Sequence, residues 1–268
     1  MRKTVLVVLA AFSVIVSVMA LPSSAAAKPA YKVSLTTSVT KSTAGKFIIV
    51  SGKVTGPKAA GRNVVIQREY DGKPWVTVAV AKIKPNGKYS ARVETPRGGT
   101  TAFRVLKAKS SVRKAGVSPI KAIPVYEWLY LANQGYTLDN GSVSTPISED
   151  IGDKLYDRSM TFNDGDTEVG YLLKNLCTTF STVAFYRTPG VGPQDQMSVG
   201  LLRYPFTGPP TLTSTAVTTE FPVTVSSSLV GTERLSIDLT SLDASNFMTL
   251  GNPRVYCNAD HLPSGSNT

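Results

Sequence analysis

The chain has 268 residues, is 42% hydrophobic and 18% charged, and carries a formal net charge of +11 with two cysteines and a single histidine. One histidine, His261 in a polar tail, excludes a Ser-His-Asp arrangement within a folded core and any multi-histidine metal site. The net charge hides a split by position. Residues 28–124 hold 20 Lys and Arg against 3 Asp and Glu, a net of +17, whereas residues 125–268 hold 7 against 15, a net of −8. Asymmetry of this size points to separate domains with different partners, or to halves that attract each other.

In chain order the first element is a leader. Arg2 and Lys3 precede an apolar run from Thr4 to Leu21, and small residues follow to Ala27. This is the order of a secretory signal peptide, with cleavage expected after Ala27; an uncleaved anchor is the alternative reading of the same run. About 240 residues then remain, enough for two domains.

Residues 28–124 show short segments of period-two alternation. Tyr89, Ala91 and Val93 alternate with polar neighbours; Val76, Val78 and Val80 share one side; Phe47–Val50 and Val64–Ile66 are apolar, mostly β-branched runs. Gly52, Gly61, Asp71-Gly72, Asn86-Gly87 and Gly98-Gly99 punctuate them. Strands about 8–12 residues apart with turn signals between them predict a β-sandwich. The charge balance turns over at Ala122–Val125, where Pro124 also restricts the backbone, so the joint between domains is placed there.

Residues 125–258 repeat the pattern at Thr178–Tyr186, Met197–Tyr204, Phe221–Ser226, Arg234–Leu239 and Arg254–Cys257, with loops at Pro189–Pro193 and Thr207–Pro210. One helix is expected over Ser148–Arg158, capped by Ser148, with Asp150, Asp153 and Asp157 on one solvated side. Residues 259–268 are polar and read as a disordered tail. The even cysteine count in an exported chain predicts a disulfide between Cys177 and Cys257.

Two resemblances extend this reading. Gly61–Gln67, Trp75–Ala79, Asn86–Val93 and Thr101–Val105 resemble segments of the Ig-like modules in secreted proteins of high-GC Gram-positive bacteria. That resemblance implies that Trp75 and Tyr89 pack in a core. In the acidic half, Tyr130–Tyr136, Gly170–Leu173, Cys177–Phe180, Leu229–Ile237 and Arg254–Cys257 look like segments of NPCBM domains, a carbohydrate-binding-module family. This implies a jelly-roll-like sandwich and a glycan ligand. The fold class is therefore all-β: an N-terminal Ig-like β-sandwich plus a C-terminal jelly-roll-like β-sandwich, after a signal peptide.

Sugar rings pack their C–H groups on aromatic faces. Tyr136 and Tyr186 border predicted loops and are the expected platform, chosen over Trp128, Tyr130, Tyr171 and Tyr204. Asn163–Glu168 is the densest oxygen-ligand cluster. Asp164, Asp166 and Glu168 suit calcium, although Asp164-Gly165 reads first as an ordinary hairpin turn. No other cofactor is expected.

Lys82, Lys84, Lys88, Arg92, Arg104, Lys107, Lys109, Arg113 and Lys114 are the candidate polyanion contacts. The leader argues against nucleic acid and for an anionic cell-envelope polymer, with a solubilising surface as the alternative. The expected function is that of a secreted or cell-wall-associated, non-catalytic binding protein with no transmembrane span after leader cleavage. Two alternatives stay open: a structural or protein-interaction scaffold, and a glycoside hydrolase-like enzyme using acids such as Asp164 or Asp166.

Overall fold

The computed structural model describes residues 28–264 except 141, 164–165, 188–196, 218–220 and 241–246. The expected leader and the Pro189–Pro193 loop lie outside the described residues. The described residues form strands, turns and a single short 3-10 turn at Leu131–Asn133. No helix among them is long and apolar enough to cross a membrane.

The basic half contains β1 (Lys32–Val33), β2 (Thr36–Thr37), β3 (Ser42–Thr43), β4 (Lys46–Thr55), β5 (Asn63–Tyr70), β6 (Val76–Lys82), β7 (Lys88–Thr95), β8 (Gly99–Lys107), β9 (Gly116–Val117) and the start of β10 (Lys121–Tyr130). One sheet sets β4 between β7 and the broken strand β1–β2; the other runs β6-β5-β8-β10. This is an immunoglobulin-type arrangement of two antiparallel sheets. Alternation along β4, β5, β7 and β8 turns Ile48, Val50, Val64, Ile66, Val93, Phe103 and Val105 into one core. Each such side chain contributes roughly 1.5–3 kcal/mol by leaving water.

Tyr89 is buried in that core, as expected, and its hydroxyl donates to the Ser34 carbonyl. Trp75 departs from expectation. It is only half-buried, and the Arg104 guanidinium lies 4.3 Å from its ring centroid on the outer surface. It precedes β6, an edge strand whose own Val76 and Val80 face solvent while Ala81 is buried.

Burial pushes the Tyr89 hydroxyl up to about 12 and raises Tyr70 for the same reason. A raised tyrosine pKa favours the neutral, folded form. The stabilisation is complete below the unfolded value near pH 10 and is lost as pH rises toward 12. Denaturation midpoints should therefore fall between pH 10 and 12, and Tyr89→Phe should flatten that fall; an unchanged pH profile in the variant would count against it.

The acidic half contains β11 (Leu138–Asn140), β12 (Val143–Ile151), β13 (Lys154–Phe162), β14 (Asp166–Leu172), β15 (Cys177–Arg187), β16 (Met197–Pro205), β17 (Thr211–Val217), β18 (Val223–Ser228), β19 (Thr232–Thr240) and β20 (Phe247–Cys257). One sheet runs β12-β13-β20-β15-β18 and the other β11-β14-β19-β16-β17. Counting the eight strands β13 to β20 from first to eighth, the sheets read first-eighth-third-sixth and second-seventh-fourth-fifth. That is the jelly-roll order, with β11 and β12 added at the edges. A second core fills the space between the sheets, including Phe162, Tyr171, Phe180, Leu201, Ile237 and Leu250.

Two expectations are corrected. Ser148–Arg158 is not helical: it spans the β12–β13 hairpin, which turns at Gly152 with φ 64°. Exposure alternates along β12 with a period of two, so Asp150, Asp153 and Asp157 share no helical side. Residues 259–264 are not a free tail. Ala259 and Leu262 are buried in the jelly-roll core, and the Leu262 N–H donates to Gln134 Oε1 at 2.8 Å.

At Ala122–Val125, where the joint between domains is expected, the chain runs as a continuous strand. Pro124 lies inside β10, which pairs with β8 through Val125 and with β20 from Glu127. One strand thus serves both cores, with Val125 in the first and Leu129 in the second. Hydrogen bonds lock this seam: the Gly98 N–H donates to the Glu127 carboxylate at 2.8 Å, and the Val125 N–H to Asn258 Oδ1 at 3.2 Å. The ion pair Arg97–Asp260 crosses it at 3.2 Å.

Candidate functional site

Period two along β10 puts Ile123, Val125 and Leu129 inward and Tyr126, Trp128 and Tyr130 outward. The same rule turns Arg254 and Tyr256 of β20 outward beside them, in register as Trp128 opposite Tyr256 and Tyr130 opposite Arg254. The rings form a row. Tyr126 and Tyr256 stack at 5.3 Å between centroids, and Trp128 follows Tyr256 at 5.1 Å. Arg254 covers Trp128 at 4.6 Å and Arg158 covers Tyr130 at 4.4 Å. Stacked contacts of this kind hold the rings in fixed orientation, each worth roughly 0.5–1.5 kcal/mol.

At the Tyr126 end the row opens into a groove of about 650 Å³ at the seam. Strand β3 reaches it by pairing in parallel with Val125 and Tyr126. Its Thr43 Oγ1 lies 2.6 Å from the Tyr256 hydroxyl, a hydrogen bond between residues 213 apart in sequence. The walls are Tyr126, Tyr256, Phe47, Val39 and Val230, with Lys41, Lys46, Ser42 and Thr178 as polar groups. Phe47 and Val230 are 51% and 75% exposed, so the groove presents apolar surface to solvent. Arg92 backs Phe47 at 3.9 Å. Among the described residues no carboxylate lines the groove.

A concave site of 300–1,000 Å³ with apolar walls and a few convergent polar groups is the usual form of a small-ligand site. Here the aromatic faces suit the C–H surface of a sugar, hydroxyls and ammonium groups suit its oxygens, and two lysines without an acid favour an anionic ligand. Nothing in the groove supplies a paired general acid and base.

The residues expected to bind glycan fall elsewhere. Tyr186 is fully buried in the jelly-roll core, because it lies on the inward-facing side of β15 with Ala184 and Thr182. Tyr136 is exposed but does not line the groove. The signal for the aromatic row seen in the structure was present in Tyr126-Glu-Trp128-Leu-Tyr130, where every second residue is aromatic.

The expected polyanion contacts divide among several places rather than forming one patch, with Lys107 and Lys109 sharing one recess. Lys84 and Lys88 line one shallow groove with Lys53. Arg92 stacks on Phe47, Arg104 on Trp75, and Lys82 stands exposed on edge strand β6. Arg113 and Lys114 lie beside Ala30 and Pro29 at the other end. Lys107 is buried, against expectation, since it ends β8 over the Tyr31 ring.

Of the calcium candidates, Asp164 and the side chain of Asp166 lie outside the described residues. Glu168 is half-buried on β14 opposite Asp238 of β19. Among the described residues no group of three or more potential metal ligands occurs. The Cys177–Cys257 disulfide is formed, between directly paired positions of β15 and β20.

No protein-family model and no curated protein matches the chain. Among solved structures, one similar to it is the M60 catalytic domain with the CBM51-1 and CBM51-2 domains of Clostridium perfringens ZmpB, with a TM-score of 0.38 and 11% identity over 84% of this chain and 31% of that one. Tripeptidyl peptidase 2 gives 0.28 and 12% over 84% and 20%. An exo-β-1,3-galactanase from Phanerochaete chrysosporium, with β-1,3-galactotriose, gives 0.25 and 11% over 84% and 56%. The chain thus spans less than two thirds of each of these structures.

Proposed function

We propose that the chain is an exported, non-catalytic glycan-binding protein whose ligand lies in the seam groove between the two sandwiches. The observation that carries this reading is the groove itself: Tyr126 and Tyr256 held in place by the ring row behind them, Phe47 from the opposite half, and Lys41 and Lys46 with no acid among the lining residues. Export is supported by the leader-like sequence and by the disulfide, a bond that persists in oxidising compartments. Lysines beside aromatic faces select an acidic or phosphorylated sugar over a neutral one.

Glycan-array screening of the full chain tests this, followed by titration of the best ligand. Tyr126→Ala should weaken binding at least tenfold, about 1.4 kcal/mol or more, while circular dichroism stays unchanged. Lys41→Gln with Lys46→Gln should remove the preference for acidic glycans. A blank array, or a Tyr126→Ala variant that binds like the parent, would rule the groove out.

A further inference from the structure

A second site stands at the far end of the basic sandwich, and it does not depend on the glycan reading. The groove between the halves borders the start of β4; the second site follows its end, about 30 Å away for a ten-residue strand. There the β4–β5 turn and the end of β8 bring Lys58, Arg62, Lys107 and Lys109 around a recess of about 440 Å³, with Ser110 and Ser111 on its rim. Among the described residues no carboxylate lines it. Lys28 adds a fifth cation, its ammonium donating to the Ser111 carbonyl at 2.6 Å.

Lys107 decides what the recess is for. The residue is only 5% exposed. Its ammonium donates to the Ala108 carbonyl at 3.1 Å and lies 5.0 Å from the Tyr31 ring centroid, and among the described residues no salt bridge joins it to an acid. An ammonium has three donors, and a buried one is costly unless a counter-charge meets it. Tyr31 is itself fixed, its hydroxyl lying within hydrogen-bond distance of the Pro57 carbonyl at 3.1 Å and of Ser110 Oγ at 2.9 Å. The cation is therefore held on a rigid floor, under three exposed ones, without an anion.

We propose that this recess binds phosphate groups of a linear anionic polymer. Clustered Lys and Arg with hydroxyl donors match phosphate oxygens. A repeating polyanion gains from several cations at once through release of its counterions. The lining holds no apolar side chain larger than Ala108, and it is concave, which favours a polymer strand over a membrane.

Titration of the full chain with a short linear polyphosphate across a salt series tests the proposal, with phosphatidylglycerol vesicles as a second arm. Polyphosphate should bind and weaken with salt. The exposed triple variant Lys58→Gln, Arg62→Gln, Lys109→Gln should bind at least tenfold more weakly, with a salt slope shallower by about 2, at roughly 0.7 per lost phosphate contact. Lys84→Gln with Lys88→Gln, in the other basic groove, should change binding less than about twofold. Equal losses in both variants would mean diffuse attraction and overturn the site, as would absent binding. Vesicle binding stronger than polyphosphate binding would assign the recess to a membrane instead.

Discussion

Removing the Cys177–Cys257 bond, by reduction or by replacing both cysteines with alanine, is expected to lower the melting temperature of the jelly-roll half by roughly 10–15 °C. The bond joins β15 and β20, the two central strands of one sheet, across a sequence separation of 80 residues. Closing a loop of that length restrains the unfolded chain by about 4.5 kcal/mol in the chain-entropy model. All of β16 to β19 lies inside the loop, so the whole second sheet apart from β11 and β14 gains from it. The immunoglobulin-type half has no cysteine. Calorimetry under reducing conditions should therefore split the coupled transition, with the jelly-roll step moving down and the other step staying near the original position. A melting profile that does not move would show that strand pairing alone holds β15 on β20.

The second large effect is expected from one methyl group at the seam. A Cβ on Gly98 would run into the carbonyl oxygen of Ala259 and lie 3.0 Å from the Glu127 Cβ. Backbone cannot yield as the end of a side chain can, so Gly98→Ala must push β8 away from the end of β20. The Gly98 N–H bond to Glu127 then weakens, along with the Asn258 contacts to Val125 and Thr100. Overpacking of this kind costs about 1–3 kcal/mol. The readout is cooperativity: the parent should melt with its halves coupled, and the variant in two separable steps. A single unshifted transition in Gly98→Ala would show that the halves are joined by β10 alone.

Gly98 also shows where local reading stops. In sequence, Gly98-Gly99 is turn punctuation, and Gly99 with φ 110° fits that. Gly98 is needed instead because another strand end passes against it, and that strand end is 161 residues away in sequence. The helix expected over Ser148–Arg158 failed for a related reason. Acids spaced three and four apart fit a helical face, but Ser148, Asp150 and the intervening residues also alternate, and β13 was available as a pairing partner. Cross-strand pairing outweighed a weak local preference.

Tyr186 and Trp75 failed differently. Both lie on or beside strands that were expected, yet which face of a strand is inward depends on the second sheet. Val76 and Val80 are outward on β6 although their alternation alone would place them in a core.

By itself the sequence determined the all-β class, most strand positions and the disulfide. Each follows from short-range alternation, turn residues, or the even count of cysteines behind a leader-like segment. The jelly-roll strand order, the continuous β10 and both recesses were decided only in the tertiary structure. Thr43 meets Tyr256 across 213 residues, and Lys58 meets Lys107 across a turn and a strand end. A period of two says that Tyr126, Trp128 and Tyr130 share a face, but not whether that face is core or solvent. The physical reason is that strand partners are chosen by long-range hydrogen bonding and burial, which no local window of sequence contains.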